Sequence, residues 1–198
     1  MMRERLISCV VTLVWILSSA SSLRAGEAMD QIRVVLDRVM QILNDPRLMT
    51  KENKKERGQR LREVADPLLD YPEMARRALG RHWDGRTPSE REEFVVLFKN
   101  FLQKIYTDQT DHYDGEKFVV SREVVGPGYT DVESKFVNKL REEALVVFRL
   151  RQIEGEWKVY DVVVEGISLV NNYHAQFNRV IRNQSYRELI RILKEKTG

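Results

Sequence analysis

Few residue patterns in this chain could carry bond-making chemistry. His82, His112 and His174 stand far apart with no ligand-like spacing, so a metal ion is given no converging set of donors. Gly166-Ile167-Ser168-Leu169-Val170 falls where a strand hands over to a helix, the place of a nucleophile elbow. The second glycine of that motif is Val170 here and no acid-then-histidine order follows, so Ser168 reads as a helix N-cap whose hydroxyl satisfies an orphan amide. Asp161 and Glu165 share one face of a strand and read as structural hydrogen-bond partners. An enzyme acting on an apolar small molecule with Asp161 as base needs a partner acid that the sequence does not supply. No glycine-rich phosphate loop is present, and no cofactor is expected. Asn183-Gln184-Ser185 matches a glycosylation sequon and reads, in a bacterial chain, as a helix cap.

The chemistry that does stand out is apolar. Phe94, Leu97, Phe98, Phe101, Leu102 and Ile105 make one broad stripe at helical spacing, and Leu169, Val170, Tyr173, Phe177, Val180 and Ile181 make another. A filled core and a lined cavity require the same inward residues, so periodicity alone leaves both open. Composition narrows the class. With 198 residues, 42% hydrophobic and 32% charged, the chain can bury a core and is not disordered. Its formal charge of +3 is mostly terminal: Arg3, Arg5 and Arg24 against Glu4 leave 30 basic and 29 acidic residues beyond position 25, which removes the basis for a nucleic-acid partner.

The terminus itself reads as an export signal. Met1 to Arg5 is basic, Leu6 to Leu17 is apolar or small apart from Ser8 and Thr12, and Ser18 to Ser22 is small and polar. The apolar run is shorter than the ~20 residues of a membrane-spanning helix. Cleavage after Ala20 or Ala25 fits the small-residue rule, so residues 1–25 are assigned as signal and residues 26–198 as one domain. The single cysteine, Cys9, lies in the signal, and a thiol-free mature chain suits an oxidising compartment. The expected location is the periplasm.

The mature chain reads as helices, strands, then helices. Ile32 to Leu43 is amphipathic and stops at Asn44-Asp45-Pro46; Thr50 to Leu69 is a polar helix whose charged start reads as a solvated face; Tyr71 to Leu79 is a short helix ended by Gly80. Thr87-Pro88-Ser89-Glu90 is a capping box before the aromatic helix, and Ser185 to Glu188 is a second one before the terminal helix. Between them the period becomes two over Phe118–Val125, Tyr129–Val137, Ala144–Ile153 and Trp157–Glu165, with short turns that imply antiparallel neighbours. Val146, Phe148 and Leu150 should point inward, opposite Arg149 and Arg151. On the last strand Tyr160, Val162 and Val164 should point inward, although Trp157 and Val159 break that alternation and admit a bulge. The fold class is α+β, with a sheet of about four strands.

Several ordered blocks resemble the MlaC family, the periplasmic phospholipid-shuttle or toluene-tolerance auxiliary family. They are Leu69-Asp70-Tyr71 with Met74-Ala75; Arg76-Arg77-Ala78-Leu79-Gly80-Arg81-His82-Trp83; Thr87 to Phe94 continuing to Leu97-Phe98; and Trp157 to Val162, Glu165 to Tyr173 and Gln176-Phe177. The resemblance runs from about Ala28 to Lys196. It implies a curved sheet and helices enclosing an apolar cavity, and carriage of a phospholipid between an inner-membrane ABC transporter with an MCE-domain subunit and an outer-membrane lipoprotein complex. With that implication, the inward faces become lining candidates: Phe94, Leu97, Phe98, Phe101, Val146, Phe148, Leu150, Tyr160, Val162, Val164, Ile167, Leu169, Tyr173 and Phe177. An enzyme on a cone-shaped α+β scaffold and a non-transporting, chaperone-like module are the alternatives.

Export has a direct check. N-terminal sequencing of the mature protein from the producing cell should begin at or shortly after Ala20 or Ala25; a cytoplasmic protein that still begins at Met1 would refute the signal.

Overall fold

The computed structural model describes residues 26–198; the expected export signal lies outside the described residues. α1 (Glu27–Leu43) buries Ala28, Ile32, Leu36 and Leu43, the stripe that the helical period predicts. α2 (Lys54–Ala65) is shorter than the polar run suggests, and Pro67 converts its end into a 3-10 turn over Asp66–Leu68. α3 (Tyr71–Leu79) and α4 (Pro88–Gln109) follow. β1 (Lys117–Gly126), β2 (Tyr129–Val137), β3 (Glu143–Ile153), β4 (Glu156–Val164) and β5 (Ile167–Ser168) form a curved, open antiparallel sheet in sequence order. α5 (Leu169–Asn183) and α6 (Tyr186–Thr197) close the chain. The four long strands lie where the period places them. The fifth is two residues long and too short to show a period.

Local chemistry explains the boundaries. The Thr87 hydroxyl accepts from the Glu90 amide while the Glu90 carboxylate accepts from the Thr87 amide, a complete capping box. At the last helix the box is one-sided: Ser185 accepts from the Glu188 amide, but Arg191 takes the Glu188 carboxylate at 2.9 Å. The charged start of α2 is not wholly solvated either. Arg57 is buried, and its guanidinium donates to the Leu48 carbonyl at 3.0 Å and to Thr110 Oγ1 at 3.1 Å, and pairs with Asp111. It thereby ties the loop after α1 to the end of α4.

Strand β4 explains its own irregular pattern. The pairing of β3 with β4 runs Phe148 with Val162 and Arg149 with Asp161, then jumps to Leu150 with Val159, so Tyr160 is an extra residue in a bulge. Trp157, Val159, Val162 and Val164 therefore all lie on the face that α1 covers, with Val146, Phe148 and Leu150 opposite or beside them. Tyr160 does not point inward as expected. Its ring meets Tyr129 edge-on and lies 4.2 Å under the Arg77 guanidinium, on the Arg149 and Arg151 face of the sheet. β1 is the free edge, and its own register breaks between Val120 and Arg122.

The buried apolar residues form two clusters. One unites α3, α4, α5 and α6 around Met74, Leu79, Phe94, Phe98, Phe177 and Leu189. The other unites α1 with the sheet around Ile32, Leu36, Val132, Leu150, Trp157 and Val159. Leu69 packs against both; it pairs with Val159 beside the edge of β4, and the Asp70 amide donates to the Val159 carbonyl at 2.8 Å.

Gly80 carries a sharp test of the helical half. Its φ is +55°, and a Cβ built there would lie 2.3 Å from His174 Cε1 on α5. Gly80→Ala should lower stability by about 2–4 kcal/mol, part from backbone strain and part from overpacking. Adding His174→Ala should restore only the overpacking part, read as a partial recovery of the melting temperature.

Candidate functional site

The site grows from two aromatic rows that face each other. On α4, Phe94 and Phe98 stack at 5.8 Å between centroids and Phe98 and Phe101 at 6.5 Å. On α5, Tyr173 stacks on Phe177 at 5.6 Å. Across the helices, Phe98 meets Phe177 edge-on at 5.5 Å and Phe101 meets Tyr173 edge-on at 5.2 Å, geometries that the ring quadrupoles favour. Burial falls along this ladder. Phe94, Phe98 and Phe177 are sealed in the helical cluster, whereas Phe101, Tyr173 and Leu169 are only partly covered.

The sheet has a matching gradient. On the α1 face Leu150 and Val159 are fully buried, Phe148 and Val162 are partly covered, and Val164 and Ile167 are 45% and 65% exposed. Ile167 pairs with Val164 and sits two residues before Leu169, the first residue of α5. The two clusters are joined at Leu69, and each has half-covered apolar side chains packed against it.

The fourteen lining candidates therefore do not form one wall. Phe101, Leu169 and Tyr173 lie half-covered against the helical cluster, Phe148 and Val162 lie half-covered against the sheet cluster, and Val164 and Ile167 are exposed. Phe94, Leu97, Phe98 and Phe177 lie inside the helical cluster, Leu150 lies inside the sheet cluster, and Val146 is buried on the same sheet face. Tyr160 is on the opposite face.

Charged groups hold the walls rather than line them. Buried Asp161 accepts from Ser168 Oγ at 2.7 Å, the Val170 amide at 3.1 Å and Arg149 at 3.4 Å. Ser168 in turn accepts from the Asn171 amide at 3.0 Å, the N-cap that its position predicts. With both oxygens engaged, Asp161 is a structural acceptor. His174 lies against the Ala78 carbonyl and His82 against Asn178, so neither approaches Ser168 as a base. The Glu165 carboxylate accepts from the Leu145 amide. A second network, which the sequence analysis does not anticipate, gathers at the start of α3. Asp70 accepts from the Glu73 amide at 3.1 Å and from Arg151 at 2.5 Å, while Arg76 and Arg77 donate to Glu73 at 2.8 Å and 2.7 Å. These ties bolt α3 to β3.

The MlaC family model, described as MlaC protein, matches residues 33–195. The chain belongs to the MlaC family. The intermembrane phospholipid transport system binding protein MlaC of Haemophilus influenzae is 21% identical over 135 residues, which is 64% of this chain and 63% of that protein, so the alignment spans under two thirds of the relative's length. A solved structure, the phospholipid-binding protein from Ralstonia solanacearum in complex with a phospholipid, is 24% identical and matches with a TM-score of 0.75 over 86% of this chain and 96% of that one. That likeness shows the fold, a curved, open antiparallel sheet with helices before and after it.

Glu73 gives this scaffold an acid-sensitive joint. Hydrogen bonds from Arg76, helped by Arg77 and opposed by burial, pull its carboxyl from 4.5 down to about 2. A carboxylate whose folded pKa is depressed stabilises the fold fully above its unfolded value, and that stabilisation disappears as pH falls through the folded value. Stability should therefore decline between about pH 4.5 and pH 2, and Glu73→Gln should be less stable at neutral pH with a flatter decline. Denaturant melts across that range check both.

Proposed function

We propose that this MlaC-family chain is a periplasmic carrier that holds a phospholipid by its acyl chains in the seam between the aromatic ladder and the sheet. The observation that carries the reading is the pair of separate buried clusters, each with partly covered apolar side chains packed against it. The names of the Haemophilus influenzae and Ralstonia solanacearum proteins support it. The task sets the physics. Exposing an acyl chain to water costs ~0.8 kcal/mol per methylene, so a two-chain lipid with ~30 methylenes faces a barrier of order 20 kcal/mol unless the chains stay covered. Walls of Phe, Val, Ile and Leu supply that cover without catalytic groups, and the headgroup remains at the open rim near Val164 and Ile167.

In this reading the donor and acceptor are an outer-membrane lipoprotein complex and an inner-membrane ABC transporter with an MCE-domain subunit. Release requires the loaded pocket to weaken on docking, because a partner shifts a population only through differential affinity. The leader in residues 1–25 delivers the chain to the periplasm. No helix among the described residues is long and apolar enough to cross a membrane.

Purification from bacterial envelope without detergent, followed by organic extraction and mass spectrometry, should yield about one phospholipid per chain; a lipid-free protein would remove the carrier reading. The position-dependent test is Val164→Glu. At a site already 45% exposed the new carboxylate reaches water, so stability should change by no more than about 1 kcal/mol, while bound lipid falls severalfold. Leu150→Glu, at a fully buried site, should instead unfold the protein. Wild-type lipid content in folded Val164→Glu would place the cargo elsewhere.

A further inference from the structure

Charge in this protein is sorted by region. From Gly166 to Arg187 the sequence holds no aspartate or glutamate. Residues 166–198, with α5 and α6, carry six basic residues against two acidic ones, a net +4; residues 113–165, with the four long strands, carry eight against eleven, a net −3. The ion pairs of α5 and α6 all belong to Arg191 and Lys194, so Arg179 and Arg182, both exposed on α5, have no carboxylate partner among the described residues. Arg81 joins them from the 3-10 turn after α3. It donates to Asn178 Oδ1 at 3.1 Å, next to Arg179 and one helical turn before Arg182. Asp84, the acid of that loop, acts on Arg76.

Other charged helices interleave acids with their bases. α2 pairs Arg60 with Glu56, and α6 pairs Arg191 with Glu188 and Glu195. α5 instead sets two guanidinia three positions apart with nothing to offset their repulsion, an arrangement that costs stability in the free protein. An anionic surface relieves that cost. We propose that the solvent face of α5, with Arg81 at its side, seats the protein on an anionic phospholipid bilayer. The rest of the face favours a lipid surface over an acidic protein. Its other exposed side chains are Asn171, Asn172, Ala175, Gln176 and Asn183, and among the described residues no large apolar side chain is exposed on α5. The face therefore offers amide and guanidinium donors to phosphates but no aromatic or aliphatic anchor of the kind that carries protein interfaces. An anionic leaflet asks for no such anchor, because each cation near it gains attraction on its own. This contact goes beyond the carrier reading, whose donor and acceptor are protein complexes, and it stands wherever the cargo is held.

The test is sedimentation of full-length mature protein with phosphatidylcholine vesicles that contain or lack phosphatidylglycerol. Each arginine brought to the anionic surface should raise affinity about fivefold. Wild type should bind the phosphatidylglycerol vesicles at low salt and release them in about 1 M salt, where the screening length falls to ~3 Å. Arg179→Gln/Arg182→Gln should bind about 25-fold more weakly. Lys51→Gln/Lys55→Gln removes the same charge from exposed lysines near the start of α2 and should bind nearly as wild type does. All four substitutions are at exposed positions, and melting temperatures are recorded on the same samples. Wild type that binds both vesicles equally or neither, or an equal loss in the two variants, would overturn the inference. Binding to soluble polyglutamate but not to the vesicles would assign the face to an acidic protein and overturn it too. The wild-type arm decides without any variant. Sedimentation counts protein on the vesicle rather than lipid in the protein, so failure here would leave the carrier reading standing, and a lipid-free protein would leave this inference standing.

Discussion

One buried carboxylate holds the two halves of the molecule in register. Asp161 sits in β4, 4% exposed, and its oxygens are taken by the Ser168 hydroxyl, the Val170 amide and Arg149. A carboxylate in such a place is tolerable only when fully bonded. Satisfying it fixes the end of β4, the turn through Glu165 and Gly166, and the first turn of α5 as one rigid corner. Val162 and Val164 precede that corner in the chain, and Leu169 and Tyr173 follow it. The second corner, where Arg151 reaches Asp70 and Glu73, fixes α3 against β3. With both corners set, polar contacts fix how the helices meet the sheet.

This arrangement lets each half be stable by its own contacts. The helical half is knitted by edge-on and stacked aromatic pairs, each worth about 0.5–1.5 kcal/mol beyond area burial, and the sheet half by α1 lying over Leu150, Val159 and Val132. Phe101 and Tyr173 at the margin of the first half, and Phe148 and Val162 at the margin of the second, stay only partly covered.

Most of the architecture was legible in the residue pattern because caps and periods are local. Thr87 with Glu90, Ser168 as a cap, Gly80 as a stop and the four strand spans depend on neighbours within a few positions. The inward residues of β3 followed from simple alternation. Tyr160 was misplaced because the bulge that turns it outward is a property of the pairing with β3, and the broken alternation at Trp157 and Val159 was its only trace. Arg57 was missed for a related reason: its acceptors, the Leu48 carbonyl and Thr110, are far enough away in sequence that a charged run looks uniformly solvated. Periodicity also cannot tell Phe98 from Phe101. Both lie on the same helical stripe, and only the position of α5 seals one and leaves the other half open.

The irregular first strand has a consequence for life at high concentration. An outermost strand exposes a row of unsatisfied backbone donors and acceptors, and a straight one is a template for another chain. β1 is rich in valine, with Val119, Val124 and Val125 44–52% exposed, a composition prone to intermolecular ladders. The register break after Val120 twists the strand at its middle, and Arg122 with Glu123 places charge at that point. A neighbouring copy could match only a few residues before falling out of step. The register break and the charges at its middle thus blunt an edge whose valines would otherwise favour aggregation.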